Sequence, residues 1–266
     1  ELMVGRSLEK EFPKREAPLG QARFEVTNLR RGSRVRGVSF NIRAGEVLGL
    51  TGLVGAGRTE TARLLFGADR PEHGVIRLDG KPLKIKSPRD AIRQGICLLT
   101  EDRKTHGLVL GQTARENFGL PNLSQFASLG FIRQREESRE FLRYVDQIQI
   151  KIADPEQITG TLSGGNQQKV VLAKWLQRNA EVILFDEPTR GIDVGAKYEI
   201  YQLINQLATD GKAILMISSE LPEVLGMSDR ILVMNEGRVT GEITDVAQAT
   251  QEDIMNLATS RETLAA

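Results

Sequence analysis

Three glycines, a cation and a hydroxyl stand close together between residues 52 and 59, in the order Gly-Leu-Val-Gly-Ala-Gly-Arg-Thr. A short apolar run from Val47 to Leu50 precedes them and a helical pattern follows, which predicts a loop between a strand and a helix. Glycines let backbone N–H groups curl around a phosphate, and the Thr59 hydroxyl is a possible ligand for Mg²⁺. The stretch therefore predicts phosphate binding, with a tight glycine turn that holds no ligand as the alternative.

The spacing of this loop is that of the Walker A pattern Gly-x-x-x-x-Gly-Lys-Ser/Thr, with one departure. Arg58 stands where the pattern has lysine. Arginine keeps the positive charge but spreads it over a wide planar fork, so the exchange is not conservative. The candidate nucleotide-binding residues of this stretch are Gly52, Leu53, Val54, Gly55, Ala56, Gly57, Arg58, Thr59 and Glu60.

Two adjacent carboxylates, Asp186 and Glu187, follow the apolar run from Val182 to Phe185. This is the Walker B pattern with one further glutamate. Successive side chains of a strand point to opposite sides, so the two carboxylates should face different partners. Asp186 is predicted to face Mg²⁺, and Glu187 is predicted to contact an attacking water.

A third candidate site is the start of a helix at Ser163, Gly164 and Gly165. Ser163 is predicted to cap this helix, and the two glycines leave its first backbone amides free of side chains. A helix N-terminus carries about half a positive charge and several unpaired N–H donors, which favours an anion. An ordinary capped helix is the alternative.

Composition limits what the chain can do. The 36 basic and 35 acidic residues among 266 nearly balance, which argues against bulk binding of nucleic acid or anionic lipid. A single cysteine, Cys97, excludes an internal disulfide and fits a reducing compartment. No apolar stretch reaches the ~20 residues that span a bilayer, so a membrane role is expected only through a docked partner. The start at Glu1 suggests a fragment of a longer chain.

Hydrophobic patterning predicts the elements that position these residues. Alternating apolar residues predict antiparallel strands over 24–29 and 38–42, and a helical pattern covers about 113–149. Within it, the charge run at 135–140 is predicted to be a solvated face. Strands alternate with helices in the remaining chain, so the predicted class is α/β with a largely parallel sheet. The continuous apolar runs that predict its buried strands are 47–50, 96–99, 182–185 and 213–217.

Three motifs stand in a fixed order, at residues 52–59, 162–170 and 185–189, and together they resemble the ABC-type ATPases. The longer stretches 52–60, 101–104, 162–170, 186–197 and 218–230 narrow the resemblance to one group within these ATPases. They look like the C-terminal nucleotide-binding half of bacterial monosaccharide importers of the ribose type. The resemblance covers nearly the whole chain.

This resemblance implies a linker at residues 1–20 and an ABC-type P-loop nucleotide-binding domain over 21–266. The domain would have a mixed, mostly parallel core sheet, an antiparallel β subdomain and a helical subdomain at about 105–178. ATP and Mg²⁺ would be its cofactors. In the family two halves dimerise head to tail, so that each signature helix meets the nucleotide of the other half. The implied Mg²⁺ ligands are Thr59, Glu101 and Asp186, the implied base is Glu187, and the implied signature and D-loop residues are Ser163, Gly164, Gly165, Gln167 and Asp193.

Three departures from the family pattern are expected to weaken this chain's own site. Arg58 replaces the Walker lysine, and Ser219 stands where a switch histidine would contact the γ-phosphate. Serine can donate a hydrogen bond but cannot supply positive charge to a phosphoryl transition state. No aromatic residue lies between Phe24 and Phe40, where a ring that stacks on adenine is usual. Because Glu187 is retained, Ser219 and Glu187 remain the catalytic candidates.

The leading hypothesis is an energy-coupling ATPase subunit of a sugar importer, for example for ribose. Its expected partners are the N-terminal half of the same polypeptide, membrane permease subunits and, indirectly, a periplasmic sugar-binding protein. Its expected place is the cytoplasmic face of the inner membrane. A second hypothesis is a half that mainly binds nucleotide and supplies residues 162–169 to a competent first half. The third, an ABC ATPase of DNA repair or translation, predicts a basic face or zinc-binding cysteines, and the composition argues against it and against a nucleic-acid partner.

Overall fold

Two large β-sheets and a short hairpin make up the β-structure of the protein in a computed structural model that describes residues 12, 13, 15 and 18–260. Most of the predicted linker at residues 1–20 lies outside the described residues. Its described part lies on the core, where the ring centroids of Phe12 and Tyr201 are 5.2 Å apart and Asn205 donates to the Pro13 carbonyl. Among the described residues, no helix combines the length and the apolar character needed to cross a bilayer.

The smaller of the two large sheets is antiparallel, and alternating apolar residues build it. Val26 stands opposite Phe40 on one neighbouring strand and Ile76 on the other, and all three side chains are buried. One face of each strand thus packs on the core while the other faces outward. The two strands predicted over 24–29 and 38–42 are confirmed. In sheet order the strands are β2 (Val35–Arg43), β1 (Ala22–Arg31), β4 (His73–Leu78) and β5 (Lys81–Pro82).

The larger sheet is parallel except at one edge. Its inner strands are continuous apolar runs because both of their faces are covered. A hairpin around Asn235, Glu236 and Gly237 adds the antiparallel edge strand. This is the mixed, mostly parallel core that the sequence predicts. In sheet order the strands are β12 (Arg238–Ile243), β11 (Arg230–Asn235), β3 (Val47–Gly52), β10 (Ala213–Ile217), β9 (Val182–Asp186) and β6 (Ile96–Leu99).

Helices flank these strands and form a separate helical part between β6 and β9. The α-helices are α1 (Arg58–Leu65), α2 (Pro88–Arg93), α3 (Ala114–Gly119), α4 (Leu123–Phe126), α5 (Gln134–Gln147), α6 (Gly164–Leu176), α7 (Val194–Thr209), α8 (Leu221–Met227) and α9 (Gln251–Thr259). A π-helical turn covers Arg103–Gly107, and 3₁₀ turns cover Leu120–Asn122 and Thr159–Thr161. The hairpin of β7 (Ala127–Ser128) and β8 (Phe131–Ile132) interrupts the region that the sequence predicts as helical throughout.

The helical part has its own aromatic core. The Phe118 ring lies 5.3 Å from that of Phe141 and 5.6 Å from that of Tyr144, measured between centroids. Beside it, Glu137 is 2 % exposed and pairs with the Arg115 guanidinium. The prediction that the charge run at 135–140 is a solvated face is therefore wrong at Glu137, because Arg115 provides a buried counter-charge.

The register of the central strands brings the candidate site together. Ile217, the last residue of β10, stands beside Leu50 of β3 on one side and Asp186 of β9 on the other. Because these strands are parallel, the loops that follow them all lie at the carboxyl ends of the strands. Ligands of open α/β sheets bind at these carboxyl ends.

Candidate functional site

The glycine loop between β3 and α1 is fixed by close backbone contacts. At Gly57, where φ is 99°, an added Cβ would lie 2.3 Å from the Arg34 carbonyl oxygen. At Gly52, where φ is 146°, it would lie 2.1 Å from the Met234 carbonyl oxygen. No other residue type fits these two positions without moving the backbone. The glycines that the sequence assigns to phosphate binding thus also set the shape of the loop.

The outer side of the same loop is open. Val54 is 96 % exposed, and a Cβ on Gly55 would meet only the Arg34 guanidinium, at 3.9 Å. An anion can therefore approach the tip of the loop, with a cation at its rim. Sequence analysis did not select Arg34, although it belongs to a cluster of four arginines between residues 30 and 36, and such a basic cluster is a usable signal for an anion site.

Thr59 and Asp186 form the centre of a candidate metal site. The Thr59 hydroxyl lies 3.2 Å from the Asp186 carboxylate, although residue 59 begins a helix and residue 186 ends a strand. Asp186 is 3 % exposed, and this burial raises the pKa of its carboxyl to about 6. A hydroxyl and one carboxylate, completed by phosphate oxygens and water, are a donor set that suits Mg²⁺. Within the described residues, no group of three acidic, histidine or cysteine side chains is suited to hold a metal ion.

Glu187 has both carboxylate oxygens engaged. Its Oε1 lies 3.5 Å from Nη1 of Arg58, and its Oε2 accepts a 3.1 Å hydrogen bond from the Ser219 hydroxyl. The same Arg58 nitrogen donates to the Ser218 carbonyl at 2.9 Å. Glu187 also has a positive φ of 50°, which turns the chain sharply after the strand. The two predicted catalytic residues, Glu187 and Ser219, are thus in direct contact.

Glu101, the third predicted Mg²⁺ ligand, pairs with Arg190. The neighbouring Arg103 donates to the Arg190 carbonyl at 3.2 Å and lies against Gly164, where an added Cβ would be 2.7 Å from its guanidinium. This contact joins the loop after β6, the loop after β9 and the start of α6. The role of Glu101 on the metal stays a prediction.

The predicted signature helix is α6, and Ser163 caps it by accepting from the Asn166 backbone N–H. A Cβ on Gly165 would lie 3.0 Å from Cβ of Ala196, so glycine allows α6 and α7 to begin side by side. Asp193 caps α7 by accepting from the Ala196 backbone N–H at 3.0 Å. The predicted signature and D-loop residues are therefore neighbours, and both helices present capped N-termini here.

Gln167, predicted to bind nucleotide, is buried. Its side-chain amide donates to the carbonyls of Leu162 at 3.1 Å and Thr159 at 3.3 Å. These bonds hold the turn that leads into α6. Direct contact between Gln167 and a nucleotide stays a prediction.

Sequence analysis did not predict two buried hydrogen bonds that lie behind the site. The Thr189 hydroxyl donates to Glu223 of α8 at 2.6 Å, and burial raises the pKa of this carboxyl. Lys174 of α6 donates to the Gly107 carbonyl of the π-helical turn, and burial lowers the pKa of its amine to about 8. Lys174 lies in an apolar run of sequence, whereas Thr189 and Glu223 lie in more polar stretches, and neither setting indicates which distant group the side chain contacts.

Comparison with known proteins agrees with this geometry. The chain is 56 % identical over 257 residues to the putative ribose/galactose/methyl galactoside import ATP-binding protein 1 of Rhizobium etli, and 51 % identical over 257 residues to the ribose import ATP-binding protein RbsA of Bacillus subtilis. Each alignment covers 97 % of this chain, but only 49 % of the first relative and 52 % of the second. The chain thus spans about half the length of these relatives.

A solved structure shows the same fold. It is the dimeric, post-hydrolysis state of the ATP-binding cassette MJ0796 bound to ADP and Pi, with a TM-score of 0.70 and 23 % identity. The match covers 83 % of this chain and 97 % of that one. The family model described as ABC transporter matches residues 35–190, which are more than half of the chain. The chain therefore belongs to the ABC transporter family, in its ATP-binding cassette.

Proposed function

We propose that this chain binds ATP with Mg²⁺ at the edge of its parallel sheet and hydrolyses it at an interface with a second cassette. The observation that supports this most is the convergence of the phosphate loop, the Thr59–Asp186 pair and Glu187 in one set of contacts. Residues that end or follow two separate strands, more than a hundred positions apart in sequence, meet there with the chemistry that phosphoryl transfer requires.

Each side chain has a definite task in this mechanism. The backbone of residues 52–57 and the N-terminus of α1 hold the phosphates. Thr59 and Asp186 would hold Mg²⁺, which when bound neutralises charge on the phosphate oxygens. Glu187 orients the attacking water and accepts its proton, and Ser219 holds the Glu187 carboxylate. Ser163, Gly164 and Gly165 at the start of α6 serve the nucleotide of the partner cassette.

We further propose that ATP hydrolysis drives the import of a monosaccharide such as ribose. The names of both relatives concern ribose import, and this chain corresponds to about half of each. The chain then is the C-terminal half, and its partners are the N-terminal half, permease subunits at the cytoplasmic face of the membrane and, indirectly, a sugar-binding protein. Sugar-stimulated ATPase activity of the reconstituted complex tests this proposal, and absence of any stimulation by sugars contradicts it.

A second candidate is a half that binds nucleotide and mainly completes the site of its partner. It is favoured by Arg58 at the lysine position and by the absence of a switch histidine at Ser219. The two candidates differ in the role of Glu187. Hydrolysis at this chain's own site requires Glu187 as a general base, whereas completion of the partner's site does not.

The experiment that separates them is ATP turnover of the full-length polypeptide with Glu187→Gln. Loss of a general base slows its own site by about 10²–10⁴-fold, so a contributing site predicts that this variant loses roughly half of total turnover if the two sites act independently. Unchanged turnover contradicts hydrolysis at this site. Loss of nearly all activity contradicts a merely supporting role.

A further inference from the structure

The guanidinium of Arg58 joins the ends of two neighbouring strands. Arg58 is the first residue of α1, yet its Nη1 reaches the Ser218 carbonyl at the end of β10 and lies 3.5 Å from Glu187 at the end of β9. The side chains are only 11 % and 9 % exposed, so this ion pair is poorly screened by solvent. The two contacts of Arg58 thus connect Glu187 to the loop that carries Ser218 and Ser219.

A single nitrogen of the guanidinium makes both contacts. Nη1 of Arg58 donates to the Ser218 carbonyl at 2.9 Å and lies 3.5 Å from Oε1 of Glu187. The guanidinium is a rigid planar fork, so its other nitrogens cannot change direction without moving Nη1 as well. A lysine ammonium is one compact charge with three donors, and it can face two partners without such a rotation.

A bound triphosphate would compete for the same guanidinium. Arg58 directly follows Gly57 of the phosphate loop, so phosphates held by that loop lie next to the base of its side chain. Charge-assisted hydrogen bonds to phosphate are among the strongest that arginine makes. Because the fork is rigid, turning it toward the phosphates moves Nη1 away from Glu187.

We propose that Arg58 is a positioning residue for Glu187 that exchanges partners when nucleotide binds. In the structure, Arg58 and Ser219 contact the two oxygens of the Glu187 carboxylate. Bound ATP draws the guanidinium to the phosphates and leaves Glu187 held by Ser219 alone, with Oε1 free for a water molecule. This inference rests on the proposed function, because it takes ATP as the ligand of the loop.

The decisive experiment is a double-mutant cycle on nucleotide affinity. The dissociation constant of the non-hydrolysable analogue AMP-PNP with Mg²⁺ is measured for the wild-type chain, Arg58→Met, Glu187→Gln and the double variant. Exchange predicts that Glu187→Gln tightens binding about tenfold when Arg58 is present, because no carboxylate competes for the guanidinium. With methionine at 58 the same change should alter affinity less than about threefold.

A lysine variant keeps the test decisive if methionine abolishes binding. Arg58→Lys retains a charge for the phosphates but lacks the fork, so the effect of Glu187→Gln should again be below about threefold. Equal effects of Glu187→Gln in all backgrounds, or weaker binding of the Glu187→Gln variant, would overturn the exchange.

Chemical unfolding provides a second readout that does not depend on affinity. Arg58→Met and Glu187→Gln should be coupled in the ligand-free chain and additive at saturating AMP-PNP. Arg23→Met is the matched control, since Arg23 pairs with Glu181 at 2.6 Å beyond the opposite end of β9. Its effect should add to that of Glu187→Gln in both states. Coupling that persists at saturating AMP-PNP contradicts the exchange. A different result, in which the two substitutions are coupled but the chain binds no nucleotide, contradicts the proposed function, and the exchange then has no ligand to drive it.

Discussion

Asp186 shows how a single residue can carry the pH dependence of a site. Its carboxyl is buried beside the Thr59 hydroxyl, and the desolvation that this burial causes raises its pKa to about 6. Only the ionised form is a good ligand for Mg²⁺. The carboxyl is therefore ready to bind metal above pH 6 and increasingly protonated below it.

We expect the Mg²⁺-dependent part of nucleotide affinity to fall by about tenfold between pH 7.5 and pH 5, because protons then compete for Asp186. The measurement compares nucleotide dissociation constants with Mg²⁺ and with a chelator across this range. Asp186→Asn should remove the Mg²⁺-dependent part at every pH. A Mg²⁺ contribution that stays constant from pH 5 to 7.5 in the wild type would contradict the assignment.

Gly57 and Gly55 offer a matched pair within one loop. Both have positive φ, 99° and 82°, but a Cβ on Gly57 would lie 2.3 Å from a backbone oxygen whereas one on Gly55 has room. We expect Gly57→Ala to lower the free energy of unfolding by more than about 2 kcal/mol and to abolish nucleotide binding. Gly55→Ala should cost only about 1 kcal/mol, from its φ alone. Denaturant unfolding and nucleotide titration measure both effects, and equal losses would contradict the steric account.

At the scale of elements, helix starts and loop ends are tied together behind the site. Gly165 lets α6 and α7 begin in contact, and Thr189, in the loop between β9 and α7, donates to Glu223 of α8. The loop after Asp186 and Glu187 is thus attached to the helix that follows Ser219. Removing a hydrogen-bond donor from a buried carboxyl lowers the free energy of unfolding, so this hydrogen bond stabilises one arrangement of the two loops.

Thr189→Val tests this link, because it keeps the side-chain shape and removes the hydroxyl. We expect a loss of about 1–3 kcal/mol in the free energy of unfolding, since the buried Glu223 carboxyl loses the hydrogen bond from Thr189. Thr209→Val on α7 is the control, since its exposed hydroxyl bonds only the Asn205 carbonyl of its own helix. Thermal or denaturant unfolding decides, and similar small losses in both variants would contradict a structural role for Thr189.

At the scale of the whole molecule, the proposed function needs a second cassette. It assigns the glycine loop at residues 52–59 to the nucleotide of this chain and the start of α6 to the nucleotide of its partner. The chain alone is therefore expected to lack the donor groups that a second cassette supplies to its own nucleotide.

We expect the isolated 266-residue chain to bind ATP measurably but weakly and to hydrolyse it at least about 100-fold more slowly per site than the full-length polypeptide. Light scattering establishes that the chain is monomeric in the assay, and Glu187→Gln of the same chain gives the background rate. Brisk turnover by the monomer, well above that background, would contradict the need for a second cassette.

The sequence by itself determined what depends on neighbours along the chain. The continuous apolar runs of the core strands, the glycine loop and the capped start of α6 are each specified by a few consecutive residues. Local chemistry suffices there, because side-chain burial, positive φ and helix capping act over one turn or one strand. The α/β class and the family followed from these segments.

Only the tertiary structure decided which distant side chains meet. The contacts of Arg58 with Glu187 and Ser218, of Glu101 with Arg190 and of Glu137 with Arg115 join residues that no local pattern relates. They arise because strand register places several loop ends at one edge, and because a buried charge takes whichever counter-charge the packing brings near. The sequence therefore predicts Arg58 as a weakened phosphate ligand, and the fold adds its contact with Glu187.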